Sequence, residues 1–359
     1  MIQESTINTL DYPIHITGNA GKQIDELLEK KAYSSIFIIM DENIMDHCWP
    51  ILFQESELLR NAEIILIEPG EAQKNIEIVI QLWQTLSEYE ADRSSVIVNF
   101  GGGMISDLGG FVASTFKRGL DFINIPTSLL SMVDASIGGK TGINLSHYKN
   151  QIGVFSQPKA IFIQVSFLDT LDERQIKNGF AEMLKHGLIA NINHWEELIK
   201  LSELTSSYLS TLIPNSIMVK KEIVDLDPLE KGVRKSLNFG HTIGHLFETW
   251  SMQKDKTPLL HGEAIAIGIL IESYLSTKKA GLAWTEFMKI KSYVSKQYDK
   301  YPITNQFLLE FETIVNQDKK KEGKKLNFTF VPKIGSFIIN QDCSMDEIKE
   351  SIIYYKENC

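Results

Sequence analysis

The sequence predicts a two-part α/β protein: a strand–helix–strand domain over residues 1–166, then a mainly α-helical domain over 167–359. Three observations carry this. Short β-branched runs alternate with amphipathic stretches as far as Val165, the rhythm of a parallel sheet with right-handed crossovers. One of those runs leads straight into Gly101-Gly102-Gly103 and then a helical stretch. Beyond Val165 helical spacing takes over, and three of the eight histidines fall between 241 and 261. A chain of 359 residues is also too long for one ordinary core.

Residues 35–40 (SIFIIM) read as a buried strand, 63–67 (EIILI) as a second and 94–100 (SSVIVNF) as a third. Between the last two, Ile76, Ile80, Leu82, Trp83 and Leu86 recur at helical spacing, predicting a helix over 75–89. MISDLGGFVASTF predicts the helix after the glycines, and 121–125 and 160–165 read as later strands. Thr170-Leu-Asp-Glu173 fits a capping box that opens the helical half. Helical spacing then runs to about Val315, with Pro214, Pro228, Pro258 and Pro302 expected at helix boundaries. Residues 326–332 and 336–339 predict a short hairpin, and 345–356 a closing helix.

Hydrophobic content of 43% and charged content of 23% are those of a globular protein in water. A net charge of −10 argues against nucleic acid or an acidic membrane surface as partner. Cys48, Cys343 and Cys359 show neither metal spacing nor a disulfide framework, which suits a reducing cytosol. MIQESTINTLDYPIHI lacks the pattern of a secretory leader, and no apolar run approaches a membrane span. A cytoplasmic location is the expectation.

The glycine turn between a strand and a helix N-terminus lets backbone N–H groups approach a phosphate. It points to a Rossmann-like, dinucleotide-binding first domain, although the spacing is not GxGxxG. Asp107, in the first turn of that helix, is placed to complement the dipole or to touch a ribose or amide. Asp41 after the first strand, and Glu71 and Lys74 after the second, lie at equivalent strand ends, where open α/β sheets bind ligands. The polar stretch 125–155 holds Asp134, Lys140, Lys149 and Asn150 among small residues and reads as a functional loop. His241 and His245 share one helical face, and His261 opens the next helix, a set suited to a divalent metal. Glu182 is a candidate oxygen ligand, with Lys185 beside it, but spacing does not separate it from Glu222, Glu248 or Glu263. Lys220, Arg234 and Asn238 precede the histidines, and Arg234 and Asn238 would share a face in a helix. Asp318-Lys-Lys-Lys321 is a basic cluster near the end.

GEAQK, GGGMISDLGGF, PTSLLSMVDASIGGKTGINL, KNQIGVF, AEMLKHG, LNFGHTIGH and HGEA, in this order, resemble the 3-dehydroquinate synthase family over nearly the whole chain. The resemblance implies NAD and one divalent metal, zinc or cobalt, held by Glu182, His241 and His261. It places His245 on the substrate, against the local inference from i, i+4 spacing. Cofactor contacts would be Asp41, Glu71, Lys74, Gly102, Gly103, Asp107, Thr127, Ser128 and Thr170, with Lys149 beside the cofactor and Lys140 near both ligands. Substrate contacts would be Asp134, Lys140, Asn150, Lys185, Lys220, Arg234, Asn238 and His245, with one of Lys319 or Lys320 on the phosphate. Arg118 would reach the neighbour's site in a homodimer. Ser128 stands where the family pattern more often has Thr, which keeps the hydroxyl.

The implied substrate is a phosphorylated sugar acid, 3-deoxy-D-arabino-heptulosonate 7-phosphate. Three alternatives share some of these features: a sister sugar-phosphate cyclase making 2-deoxy-scyllo-inosose or an epi-valiolone, a metal-dependent polyol dehydrogenase of the glycerol dehydrogenase type, and an inactive nucleotide-binding scaffold. Lys220, Asn238 and the basic cluster favour dehydroquinate synthase among the cyclases. A dehydrogenase would accumulate NADH. A scaffold has no need of so many buried charges.

Overall fold

The computed structural model describes residues 4–146, 148–322 and 326–359. The chain forms two compact units, Met1–Asp172 with Thr205–Lys221, and Glu173–Leu204 with Glu222–Cys359. Residues 205–221 thus return to the first unit, which a division at one point of the sequence does not capture.

The first unit holds β1 (Ser5–Asn8), β2 (Pro13–Ile16), β3 (Ile36–Asp41), β4 (Glu63–Ile67), β5 (Val96–Gly101), β6 (Asp121–Pro126), β7 (Lys140–Leu145), β8 (Tyr148–Phe155) and β9 (Ile161–Ile163). Seven of them form one sheet in the order β1-β2-β9-β6-β5-β3-β4. All its pairings are parallel except β1 with β2. Around it lie α1 (Ala20–Lys31), α2 (Glu42–His47), α3 (Trp49–Glu55), α4 (Ile76–Glu88) and α5 (Gly103–Thr115). Phe37, Ile39 and Ile97 pack with Val79, Leu82 and Leu86 of α4 and Ile105, Leu108 and Val112 of α5. Each such buried side chain contributes roughly 1.5–3 kcal/mol relative to exposure. Parallel strands bring the carboxyl ends of β3, β4, β5 and β6 to one edge, so the segments that follow them share it.

Several expectations need correction. No loop follows β3: Asp41 caps α2 at once, its Oδ1 accepting the Ile44 N–H at 3.1 Å. The described residues of 125–155 form regular elements, a π-helical turn at Ser131–Ala135 and the β7–β8 hairpin. In that hairpin Gly142 pairs with Gly153, and a Cβ on Gly142 would stand 2.6 Å from the Ile152 carbonyl oxygen. Thr170 makes no capping box: its hydroxyl donates to the Phe167 carbonyl within a 3-10 helix, and the next helix begins only at Glu173.

The second unit is helical: α6 (Glu173–Ala190), α7 (Ile192–Leu198), the end of α8 (Ser206–Leu226), α9 (His241–Lys254), α10 (His261–Lys279), α11 (Trp284–Gln297), α12 (Asn305–Glu322) and α13 (Met345–Asn358). The expected hairpin is present as β10 (Phe328–Phe330) and β11 (Ile338–Gln341). Pro214 is no boundary: it lies inside α8, where it forgoes one backbone hydrogen bond. Arg234 and Asn238 lie in a 3-10 helix, Val233–Asn238. With about three residues per turn, positions four apart no longer share a face. Arg234 is buried and its Nη1 donates to the Pro228 carbonyl at 2.6 Å, while Asn238 Nδ2 donates to Glu230 at 3.0 Å.

Candidate active site

In the first unit, β5 ends at Gly101 and α5 begins at Gly103. Gly102 is the N-cap, with φ −73° and ψ −170°, and among the described residues no side chain accepts from the first turn of the helix. The first-turn N–H groups are therefore open to an anion. A Cβ on Gly103 would stand 3.0 Å from Ala135 Cβ, and one on Gly102 3.5 Å from Ser128 Oγ. The Thr127 N–H donates to the Gly101 carbonyl at 3.1 Å, and Ser128 Oγ lies 2.9 Å from Ser131 Oγ. Thr127 and Ser128 thus line the turn.

Lys74 is buried, and its Nζ stands 2.5 Å from both Asp107 Oδ2 and Asn150 Oδ1. Burial pushes the Asp107 carboxyl above its ordinary value, and Lys74 opposes that. Asn144 extends the network, donating to Glu71 Oε1 at 3.0 Å and accepting the Asn150 N–H at 2.9 Å. Asn144 has no local signal in sequence; the hairpin register brings it there. Asp134, in the π-helical turn, forms an ion pair with Lys220. Lys140 opens β7 opposite Phe155, and Lys149 lies in β8. Arg118 is exposed at the end of α5, where Lys117, Arg118 and Gly119 all have positive φ.

In the second unit three helices meet at close range. A Cβ on Gly262 of α10 would stand 1.9 Å from the Asn178 carbonyl oxygen of α6. One on Gly268 would stand 1.8 Å from the Gly240 carbonyl oxygen at the start of α9. Gly240 itself has φ +80°, a conformation glycine adopts without strain. Backbone contact of this kind brings Glu182 on α6, His241 on α9 and His261 on α10 together. Glu182 is fully buried, and its Oε1 lies 3.5 Å from Nε2 of His241 and 3.5 Å from Nε2 of His261. Two ligands bonded to zinc at 2.0–2.1 Å with tetrahedral angles stand about 3.3 Å apart.

The donor chemistry also suits a cation. His241 Nδ1 lies 3.2 Å from the Phe239 carbonyl. A carbonyl only accepts, so Nδ1 donates and the Nε2 lone pair faces Glu182 Oε1. That oxygen is buried, and among the described residues no group within bonding distance hydrogen-bonds to it. Lys185 forms an ion pair with the other oxygen, Oε2. Burial opposes ionisation of Glu182, but Lys185 and the two histidines hold it well below the ordinary carboxylate range. Burial and Lys185 hold His241 low. Burial also acts against the imidazolium of His261, yet Glu182 and Glu248 raise it to about 9. Glu248 Oε2 lies 3.6 Å from its Nδ1, across the ring from Nε2. A proton on His261 Nε2 and a metal ion would occupy the same place. His245 is the exposed member of the group, its ring centre 5.3 Å from that of His241 and 5.8 Å from that of His261. Of the other carboxylates, Glu263 is held by Arg174 in a two-pronged contact at 2.7 Å, and Glu222 is exposed.

Among the described residues, no helix is long and apolar enough to cross a membrane. Lys319 and Lys320 have side chains that lie outside the described residues.

Residues 64–178 match the family profile for the 3-dehydroquinate synthase N-terminal region and residues 179–321 that for its C-terminal region. A 3-dehydroquinate synthase of Parabacteroides distasonis is 41% identical over 341 residues, 94% of this chain and 95% of its own. One of Dictyoglomus turgidum is 37% identical over 358 residues, 97% of each chain. Among solved structures, a 2-epi-5-epi-valiolone synthase from Streptomyces hygroscopicus with NAD⁺ and Zn²⁺ bound superposes at TM-score 0.85, 23% identity and 99% coverage of each chain. A 2-deoxy-scyllo-inosose synthase complexed with carbaglucose-6-phosphate, NAD⁺ and Co²⁺ superposes at TM-score 0.86 and 21% identity, covering 99% of this chain and 100% of its own. The solved structures share the fold, and the curated relatives share the sequence along almost its full length: the chain belongs to the 3-dehydroquinate synthase family.

Proposed function

We propose that the chain converts 3-deoxy-D-arabino-heptulosonate 7-phosphate to 3-dehydroquinate and inorganic phosphate, a step of the shikimate route to aromatic amino acids, as a cytoplasmic homodimer. One observation supports it most, in a chain of this family: a buried carboxylate oxygen with no hydrogen bond among the described residues stands 3.5 Å from a ring nitrogen of each of two histidines.

Glu182, His241 and His261 would hold one zinc or cobalt ion, and the open amides behind Gly102 and Gly103 would take the cofactor's phosphates. Asp41, Glu71, Lys74, Asp107, Thr127, Ser128, Lys149 and Thr170 would complete the NAD site. When bound, NAD⁺ supplies reversible hydride acceptance at a ring carbon and the metal supplies Lewis acidity. Lys140, Lys185, Lys220 and Arg234 would bind the anionic substrate, with Asp134, Asn150 and Asn238 orienting its hydroxyls. Local cations on an acidic protein focus an anion on the site. His245, exposed beside the metal ligands, would hold and move the proton exchanged as phosphate leaves. Arg118 would serve the partner subunit. Phosphate leaves, the ring opens and the carbocycle closes, with no net oxidation.

The test incubates the protein with NAD⁺, Co²⁺ and the heptulosonate phosphate. Phosphate and 3-dehydroquinate should appear in equal amounts without accumulating NADH. A sister cyclase would leave this substrate unchanged and a polyol dehydrogenase would accumulate NADH; either result contradicts the reading.

A further inference from the structure

Both histidine-bearing helices begin with backbone N–H groups that need partners. In each case a buried side chain from another ligand-bearing helix supplies one. Glu272 of α10 is fully buried, and its carboxyl reaches the start of α9. Its Oε2 accepts the Gly240 N–H at 2.8 Å and its Oε1 the Ile243 N–H at 2.9 Å. These donors flank His241 on both sides. Asn178 of α6, also buried, accepts the Gly262 N–H at 2.6 Å, one residue beyond His261. Asn178 stands one helical turn before Glu182 on the same helix, so α6 carries one ligand and fixes the backbone beside another. Likewise α10 carries His261 and fixes the backbone beside His241.

We propose that Glu272 and Asn178 are positioning residues for the metal site, clasping the first turns of α9 and α10 so that His241 and His261 face Glu182 before any ion binds. The inference rests on the metal reading above. Its physical basis is preorganisation: residues that orient ligands govern affinity without touching the ion. Glu272 lies at the end of the apolar run AIAIGILI, where a carboxylate has no solvent to face. A Gln offers one acceptor oxygen in place of two, and its NH₂ would meet a backbone N–H. A backbone held less well lets the imidazole wander, and the ion then has to order it.

The experiment titrates Co²⁺ into metal-free full-length protein, following the visible ligand-field bands and the dissociation constant. Wild type should bind one equivalent; if it binds none, the metal reading itself fails. Glu272→Gln should keep native far-UV circular dichroism, bind Co²⁺ about 10–100-fold more weakly and shift the bands. Native circular dichroism with wild-type affinity and bands would overturn the inference. If Glu272→Gln does not fold, Asn178 decides. Asn178→Ala should weaken Co²⁺ binding, and Asn178→Asp, which keeps the acceptor, should restore it. Equal affinity in wild type, Asn178→Ala and Asn178→Asp would overturn it as well.

Discussion

The two units use helix N-termini in opposite ways. At α5 in the first unit, the N-cap is a glycine and, among the described residues, no side chain takes the first-turn amides. At α9 and α10 in the second, buried Glu272 and Asn178 take them. An open helix end is itself a binding surface, whose amides and dipole meet an anion directly. A closed helix end is a mount, whose backbone is fixed so that its side chains can act. The difference tells what each unit should tolerate. The first should suffer when something fills the glycine turn, and the second when a side chain is removed.

The largest effect should come from the mount. Chelation should abolish turnover, and added Zn²⁺ or Co²⁺ should restore it; full activity in verified metal-free protein would rule out a required metal. His261→Ala should lose bound metal, read by metal analysis. Next is His245→Ala, which should keep the metal while turnover falls on the order of 10²–10⁴-fold. If it empties the site, His245 is a ligand and Glu182 is not needed as one.

The open end is tested by closing it. Gly102→Asp fits, since φ is negative and a Cβ there makes ordinary contact with Ser128 Oγ at 3.5 Å. The new carboxylate would cap α5, raising stability by a few tenths of a kcal/mol. It would also occupy the amides that the proposed cofactor site offers to phosphate, and NAD⁺ binding should weaken about 10–100-fold. Unchanged NAD⁺ affinity by calorimetry would refute the open-end reading.

Arg118 tests whether the far end of α5 serves its own subunit. It follows α5, 13 residues long and so roughly 20 Å from the glycine turn to its far end at 1.5 Å per residue. Mixing the inactive variants Arg118→Ala and Lys140→Ala after subunit exchange should restore up to roughly a quarter of wild-type activity, because each mixed dimer has one intact site. No rescue, with exchange verified, rules out a shared site.

The smallest effect on activity, none at neutral pH, belongs to His194. Burial lowers it to about 4 from an ordinary 6.5. A depressed histidine contributes stability above pH 6.5 and loses it as pH falls toward 4, by about 3 kcal/mol at most. His194→Gln should therefore flatten the acid limb of the stability curve between pH 6.5 and 4; an unchanged slope contradicts this.

Much of the fold was legible. β3, β5 and β6 are near-continuous apolar runs because the middle of a parallel sheet is covered on both faces, while the edge strand β4 is apolar yet leaves Ile64 and Leu66 exposed, and Asn75 caps α4 where the spacing placed its start. β1 and β2 were missed: each is four residues long, and most of β1 is exposed. The β7–β8 hairpin passed for a loop because its glycines, needed for close cross-strand approach, look like flexibility in sequence. In the site, the histidines stood out by spacing. The carboxylate did not, because Glu182 is 59 residues before His241 and only the packing of α6 against α10 brings it near. Glu272 left one faint sign, a lone charge ending an otherwise apolar helix stretch.

The most direct test follows three quantities together as Co²⁺ is titrated into metal-free protein with NAD⁺ and the heptulosonate phosphate: bound metal, released phosphate and NADH absorbance. Phosphate release should rise in proportion to bound metal and saturate at one ion per chain, with many turnovers per NAD⁺ and no NADH accumulating. Phosphate release without metal, or NADH growing in step with product, would contradict this.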